Sequence, residues 1–96
     1  MTRTELLLTI LAEECVETAQ RASKAIRFTL DEVQEGQELS NAQRIVYEFN
    51  DIFAVMQMLF EEGLIHRTLD YTAINAKKAK IEKWLDYSQK MGALTE

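Results

Sequence analysis

The chain has 96 residues, of which 47% are hydrophobic, and a formal net charge of −5. This length fits a single domain over residues 1–96, and a domain of this size hides only part of its apolar surface by itself, so we expect oligomerisation to complete the core. The negative charge argues against nucleic-acid binding, which requires a basic surface. An anionic small-molecule substrate stays open, because metal ions held by carboxylates would reverse the local charge.

Cysteine content and hydropathy suggest the cellular context. Cys15 is the only cysteine, which excludes an internal disulfide and is typical of a reduced cytoplasmic protein. The short apolar run near the start meets Glu13 and Glu14 too early for a secretory signal. No apolar run approaches the ~18 residues that a membrane-spanning helix needs. We therefore expect a soluble cytoplasmic protein that does not bind membranes.

The first predicted helix begins near Thr2 or Thr4 and continues to about Phe28. Thr2 and the glutamate three residues later have the spacing of a capping box, in which each side chain satisfies a backbone amide at the other position. Apolar residues then recur at helical spacing without glycine or proline. Arg21 and Lys24 fit two roles equally well: contact with a substrate phosphate, or ion pairing with polar neighbours one turn away.

Acidic residues stand inside the apolar stripes of the first two predicted helices. Glu14 and Glu17 are three residues apart, as are Glu48 and Asp51, so each pair shares a helix face. An ionised carboxylate against a core is strongly disfavoured unless it is paired or bound to a metal, and few basic residues stand in these stripes. All-oxygen ligands select Mg²⁺, Mn²⁺ or Ca²⁺ over softer metals. The four acids therefore form a candidate divalent-cation site.

An acidic connection over residues 30–39 separates the first two helices and is interpreted as a solvated linker more readily than as a flap over a nucleotide. Ser40 and Gln43 form a second capping box, and the helix that follows continues to Phe60 before Gly63 stops it. Such a connection makes the two helices antiparallel. At ~1.5 Å of rise per residue, the two acidic pairs then lie at the same depth within about a turn.

The third predicted helix begins at Thr68 or Asp70 and ends near Met91, with Gly92 as its stop. Lysines crowd its centre, and the residue pattern alone favours a solubilising role for them. Its predicted packing side comprises Ile74, Ala76, Ile81, Trp84 and Leu85. The three helices together predict an all-α fold, an antiparallel bundle of three main helices that is completed by oligomerisation.

Several residues with chemical potential favour structural roles. His66 is the only histidine and lies at a helix junction, where a surface or capping role is the simpler interpretation. Cys15 has no histidine partner, which argues against nucleophilic catalysis. Three aromatic residues fit core packing more simply than stacking on a base, namely Phe28, Phe49 and Trp84.

Two acidic motifs are ordered as in a known family. The sequence Glu-Glu-Cys-Val-Glu stands at 13–17 and Glu-Phe-Asn-Asp at 48–51. This order resembles the signature of the MazG-like, all-α nucleotide pyrophosphohydrolases, and the resemblance covers about residues 7–85. The Ala-Lys-Lys-Ala-Lys sequence at 76–80 is similar to the lysine-bearing third helix of that family. The gap between the two motifs is at or slightly beyond the long end for the family, so the connection departs from the pattern.

The resemblance implies an enzyme that cleaves a ribo- or deoxyribonucleoside triphosphate between its α- and β-phosphates, with a role in sanitising the nucleotide pool. It implies Mg²⁺ or Mn²⁺ as cofactor and a homodimer or homotetramer as the assembly. The implied metal ligands are Glu14, Glu17, Glu48 and Asp51. Glu13 joins these four as a candidate catalytic residue that takes a proton from water. The candidate substrate-binding residues are Arg21, Lys24, Asn75, Lys77 and Lys80.

Two other functions stay open at this point. A phosphoribosyl-ATP pyrophosphohydrolase would share the scaffold and the chemistry, although no strongly basic site for a second ribose phosphate is evident. A non-catalytic helical oligomerisation module would carry the same acids as surface decoration. A di-iron carboxylate bundle requires Glu-x-x-His ligands on two helices, and here Glu62 stands four residues before the only histidine, so this site class is disfavoured.

Overall fold

The computed structural model describes residues 1–95 and consists of three α-helices joined by two connections. Helix α1 spans Arg3–Phe28, α2 spans Asn41–Glu61 and α3 spans Tyr71–Lys90. There is no β-strand in residues 1–95, so the all-α class is confirmed. None of the helices in this range combines the length and the hydropathy that crossing a membrane would require.

Side chains cap the beginning of each helix. The backbone N–H of Glu5 donates to Thr2 Oγ1 at 3.1 Å, and the N–H of Thr2 donates back to the Glu5 carboxylate at 3.1 Å. Ser40 and Gln43 exchange the same two bonds at the beginning of α2. Asp70 caps α3. Both predicted capping boxes are therefore confirmed, and the start of the third helix is settled in favour of Asp70.

Helices α1 and α2 pack side by side, with the beginning of one beside the end of the other. The Arg3 guanidinium donates two hydrogen bonds of 3.0 Å to the Glu62 carboxylate, which joins these two ends. Leu7 of α1 is buried against Val55 and Leu59 of α2, and these three side chains form the hydrophobic core. The core is small because only one face of each helix meets the other.

The connection between α1 and α2 is held by Asn41, the first residue of α2. Its side chain is 2% exposed, and its Nδ2 donates to the Thr29 carbonyl at 2.8 Å and to the Glu32 carboxylate at 3.0 Å. Thr29 adopts a positive φ of 76°, which a β-branched residue rarely does without such support. An isolated β-bridge between Val33 and Ser40 closes the connection further on. The segment is therefore an ordered loop, and nothing in the sequence pattern had singled out Asn41.

Helix α3 packs against neither α1 nor α2 over the described residues. Most of its predicted packing side is open to solvent, with Ile81 46%, Trp84 53% and Leu85 41% exposed, whereas Ile74 is partly buried. The structure thus shows the three predicted helices but not their assembly into a bundle. The bundle and its completion by oligomerisation stay predictions.

Candidate metal centre

Three carboxylates from two helices converge in the seam between α1 and α2. Glu14 and Glu48 are partly buried and come from opposite sides of the seam, while Glu17 lies one turn further along α1 and is exposed. One oxygen of each residue lies within 4.8 Å of the others. The predicted antiparallel pairing and depth of the two acidic motifs thus bring together three of the four candidate ligands.

Arg21 lies beside these carboxylates and faces Glu48 across the seam. Its Nε is 3.8 Å from Glu48 Oε1, close enough for an ion pair and too long for a hydrogen bond. The two side chains are only 15% and 18% exposed. The sequence pattern offered Arg21 a partner on its own helix, whereas the structure places it against an acid on the neighbouring helix. One positive charge therefore opposes three negative charges.

Three polar atoms in this cluster are shielded from solvent and have no hydrogen-bond partner among the described residues. They are Oε2 of Glu14, Oε2 of Glu48 and Nη1 of Arg21. A buried polar atom without a partner costs about 1–3 kcal/mol, and a charged one costs more. A divalent cation between the carboxylates would satisfy the two oxygens, as would ordered water. The donor set, which is anionic and all oxygen, fits a hard cation.

The acid–base behaviour of the two partly buried glutamates reflects this crowding. Burial raises the pKa of Glu14, and the charges of Glu17 and Asp51 raise it further. Burial also raises the pKa of Glu48, and Glu17 adds to the effect, whereas Arg21 opposes it. Both residues thus hold a proton more readily than an ordinary glutamate. A bound cation would act in the opposite direction, because it favours the ionised forms.

The remaining acidic candidates lie outside the converging trio. Asp51 is exposed, and its carboxylate acts on Glu14 and Glu48 through charge repulsion rather than as a fourth converging oxygen. Glu13 is exposed and borders a shallow groove on the outer side of α1, next to Val16. Metal ligation by Asp51 and proton transfer by Glu13 stay predictions.

The substrate-binding candidates other than Arg21 lie away from the trio. Lys24 is partly buried and lines a recess of about 140 Å³ with Phe28, Glu32 and Gln34, at the loop end of α1. Three further candidates, Asn75, Lys77 and Lys80, are exposed on α3. Since α3 contacts neither other helix in the described chain, the structure does not bring these three to the acids of the same chain.

Comparison of the chain with protein-family models, with curated proteins and with solved structures finds no match in any of the three. The chemistry of the site has to follow from its own side chains. Three carboxylates, two of them with a buried oxygen that has no partner within residues 1–95, surround a point beside one guanidinium. This arrangement suits a divalent cation together with an anionic ligand, because the cation offsets the carboxylates and the guanidinium attracts the anion.

Proposed function

We propose that the chain is a MazG-like nucleoside triphosphate pyrophosphohydrolase that depends on Mg²⁺ or Mn²⁺. Water would attack the α-phosphorus, the bond from that phosphorus to the bridging oxygen would break, and the products would be a nucleoside monophosphate and pyrophosphate. The observation that supports the proposal is the convergence of Glu14, Glu17 and Glu48, two of which have a buried oxygen without a partner in the part of the chain that the structure describes. The order of the two acidic motifs suggests the reaction class.

The three converging carboxylates would hold the cation, and Asp51 would join them when its side chain turns towards the seam. When bound, the metal supplies Lewis-acid stabilisation of the phosphate oxygens and lowers the pKa of water. A carboxylate that is not committed to the metal would accept the proton of the attacking water. Asp51 is the candidate for this base where it does not ligate the cation, since its charge already acts on both partly buried glutamates. Glu13 is the candidate where Asp51 is a ligand.

The basic residues would neutralise the phosphates. Arg21 is the nearest to the trio, and it faces Glu48. With Glu48 bound to the cation, the Arg21 guanidinium would be free to donate in parallel to two phosphate oxygens. Lys77 and Lys80 would stabilise the leaving pyrophosphate as point charges. Because α3 stays apart from the acids of its own chain, these lysines would have to be supplied by another copy, in keeping with a homodimer or homotetramer.

Within a cell, this activity would remove unwanted nucleoside triphosphates from the cytoplasmic pool. The experiment that tests the proposal is a panel of ribo- and deoxyribonucleoside triphosphates, with phosphoribosyl-ATP included, incubated with Mg²⁺ or Mn²⁺. Release of pyrophosphate rather than orthophosphate supports cleavage at the α-phosphate. If no compound is hydrolysed, and neither cation raises the melting temperature, the acids serve a non-catalytic helical module.

A further inference from the structure

The single chain is too open for a protein of its size. Its accessible surface is 7789 Å², whereas a compact monomer of this mass exposes about 5,700 Å². Its radius of gyration is 16.7 Å, against about 12.5 Å for a compact domain of 96 residues. The excess surface, roughly 2,000 Å², is larger than the ~800 Å² that each partner buries in an ordinary stable interface. The fold therefore leaves enough surface for a large contact with another molecule.

Part of this surface is an apolar groove between α1 and α2. The groove has a volume of about 350 Å³, and its walls include Leu11 and Cys15 from α1 and Phe49 and Phe53 from α2. Cys15 is two residues from Glu17, so the two side chains point to opposite sides of α1. The groove's lining residues include none of the acidic trio, although Leu11 lies one turn from Glu14 and the groove therefore adjoins the trio. In an isolated chain this apolar surface would be exposed to water.

Helix α3 presents the complementary surface. Ile74, Ile81 and Leu85 lie on one side of this helix at helical spacing. The helix as a whole packs against neither α1 nor α2 in the described chain, and of these three side chains only Ile74 is partly buried. The helix has 20 residues and is therefore about 30 Å long, nearly the same as α2. Its five lysines and two acids give it a net charge of +3, so the rest of the chain carries −8. Helix α3 is thus similar in length to α2, has an apolar side that can cover the groove, and is opposite in charge to the helix pair.

We propose that two copies of the chain exchange α3, so that the apolar stripe of each α3 lies in the α1–α2 groove of the other copy. The connection before α3 borders the groove at Leu69, yet α3 then leads away from the helix pair of its own chain. The same contact is made twice, which closes a two-fold dimer. Each copy buries an apolar groove and an apolar helix face, and the basic helix lies on the acidic pair. This assembly does not depend on the proposed activity.

Cys15 provides a direct test because it is the only cysteine and is exposed in the groove. A disulfide requires Cα atoms closer than about 7 Å, so a second cysteine reports contact with the groove. We expect mild oxidation to link two chains in at least one of the variants Ile74→Cys, Ile81→Cys and Leu85→Cys. The matched control is Lys83→Cys, on the opposite side of α3 from Ile81, which should form no link. Each link should vanish when Cys15→Ser is added.

Sedimentation of the unmodified full-length chain should give twice the mass of one chain. Three results would overturn the exchange: a monomer at micromolar concentration, a disulfide that forms within one chain, or equal cross-linking through Lys83→Cys. An internal disulfide would mean that α3 folds back onto its own groove. Each variant replaces a larger side chain of α3 with cysteine, so its folding has to be checked. Circular dichroism should show the helix content of the wild type before cross-linking is measured.

Discussion

The α1–α2 pair and α3 differ in tertiary contacts although they are alike as helices. Helices α2 and α3 have 21 and 20 residues, and each begins with a side-chain cap. Yet Val55 and Leu59 of α2 are buried, whereas no residue between Tyr71 and Lys90 is. Capping and helix propensity act within one turn, while burial requires a second surface. A well-formed helix can therefore remain without a tertiary partner in its own chain.

The candidate site residues are also divided between the α1–α2 pair and α3. The helix pair carries all the converging carboxylates and Arg21, whereas α3 carries most of the lysines. Like charges gather on each part, which is unfavourable in isolation and favourable when the two parts meet. The proposed exchange of α3 joins the acidic part of one copy to the basic part of the other. The same contact would complete the apolar core and bring lysines of α3 towards the acidic trio.

The largest expected effect concerns the helix pair. Glu48→Gln removes a charge from the centre of the acidic trio, and we expect nucleotide turnover to fall by more than about 100-fold, since even outer-shell changes at metal sites cost 10- to 100-fold. Pyrophosphate release under saturating Mg²⁺ is the measurement. Glu61→Gln, at the exposed end of the same helix, is the matched control and should keep its activity. Equal turnover in both variants would remove Glu48 from the site.

The next effect concerns the contact between the pair and α3. Phe53→Lys places a charge in the apolar groove, and we expect self-association to weaken by more than about 100-fold, because losing a buried phenylalanine costs about 3 kcal/mol and the contact is made twice in the dimer. Ile26→Lys is the control, because Ile26 is 86% exposed and is not among the groove's lining residues. Sedimentation velocity over a concentration series measures the change. A Phe53→Lys protein that remains dimeric would exclude the groove as the interface.

A smaller effect should appear in the pH dependence of stability without metal. The folded state raises the pKa of Glu14 and Glu48, so it binds more protons than the unfolded chain. Their contribution therefore favours folding below the ordinary glutamate pKa and declines as the pH rises through the raised values. Above the ordinary glutamate pKa, the melting temperature should fall less steeply with rising pH in Glu14→Gln than in the wild type. Mg²⁺ should raise the melting temperature of the wild type at neutral pH more than that of the variant.

An unchanged slope in Glu14→Gln would mean that the acidic trio does not penalise ionisation in the folded state. A changed slope would be a property of the α1–α2 pair alone, because α3 contributes no residue to the trio. Glu61→Gln again serves as the control for removing one carboxylate from the chain.

The smallest effect concerns the ion pair between Arg3 and Glu62, which joins the beginning of α1 to the end of α2. The hydrogen bond from Arg3 lowers the pKa of Glu62, so this contribution is present above the ordinary pKa and is lost as the pH falls. Both side chains are substantially exposed, at 67% and 33%, and exposed ion pairs contribute little. We expect Arg3→Gln to lower the melting temperature by only a few degrees at neutral pH. A loss of folding would show that this contact holds the two helices together.

Features set by residues close in sequence could be predicted, whereas those set by how the helices pack could not. The helix starts at Thr2 and Ser40 followed from capping spacing, since both partners of each cap lie within one turn. The convergence of Glu14, Glu17 and Glu48 followed from the spacing of the acids and the length of the connection. The pairing of Arg21 with Glu48 did not follow, because it depends on how each helix is rotated about its own axis.

By itself, the sequence determined the three helices, their caps and the placing of acids on the inner faces of two of them. These features depend on side chains three or four residues apart, whose separation is set by the helix. Only the tertiary structure decided that Asn41 is buried as the support of a loop and that α3 leaves its own helix pair. These outcomes depend on the path of the connections, where a change in a few backbone angles redirects everything that follows.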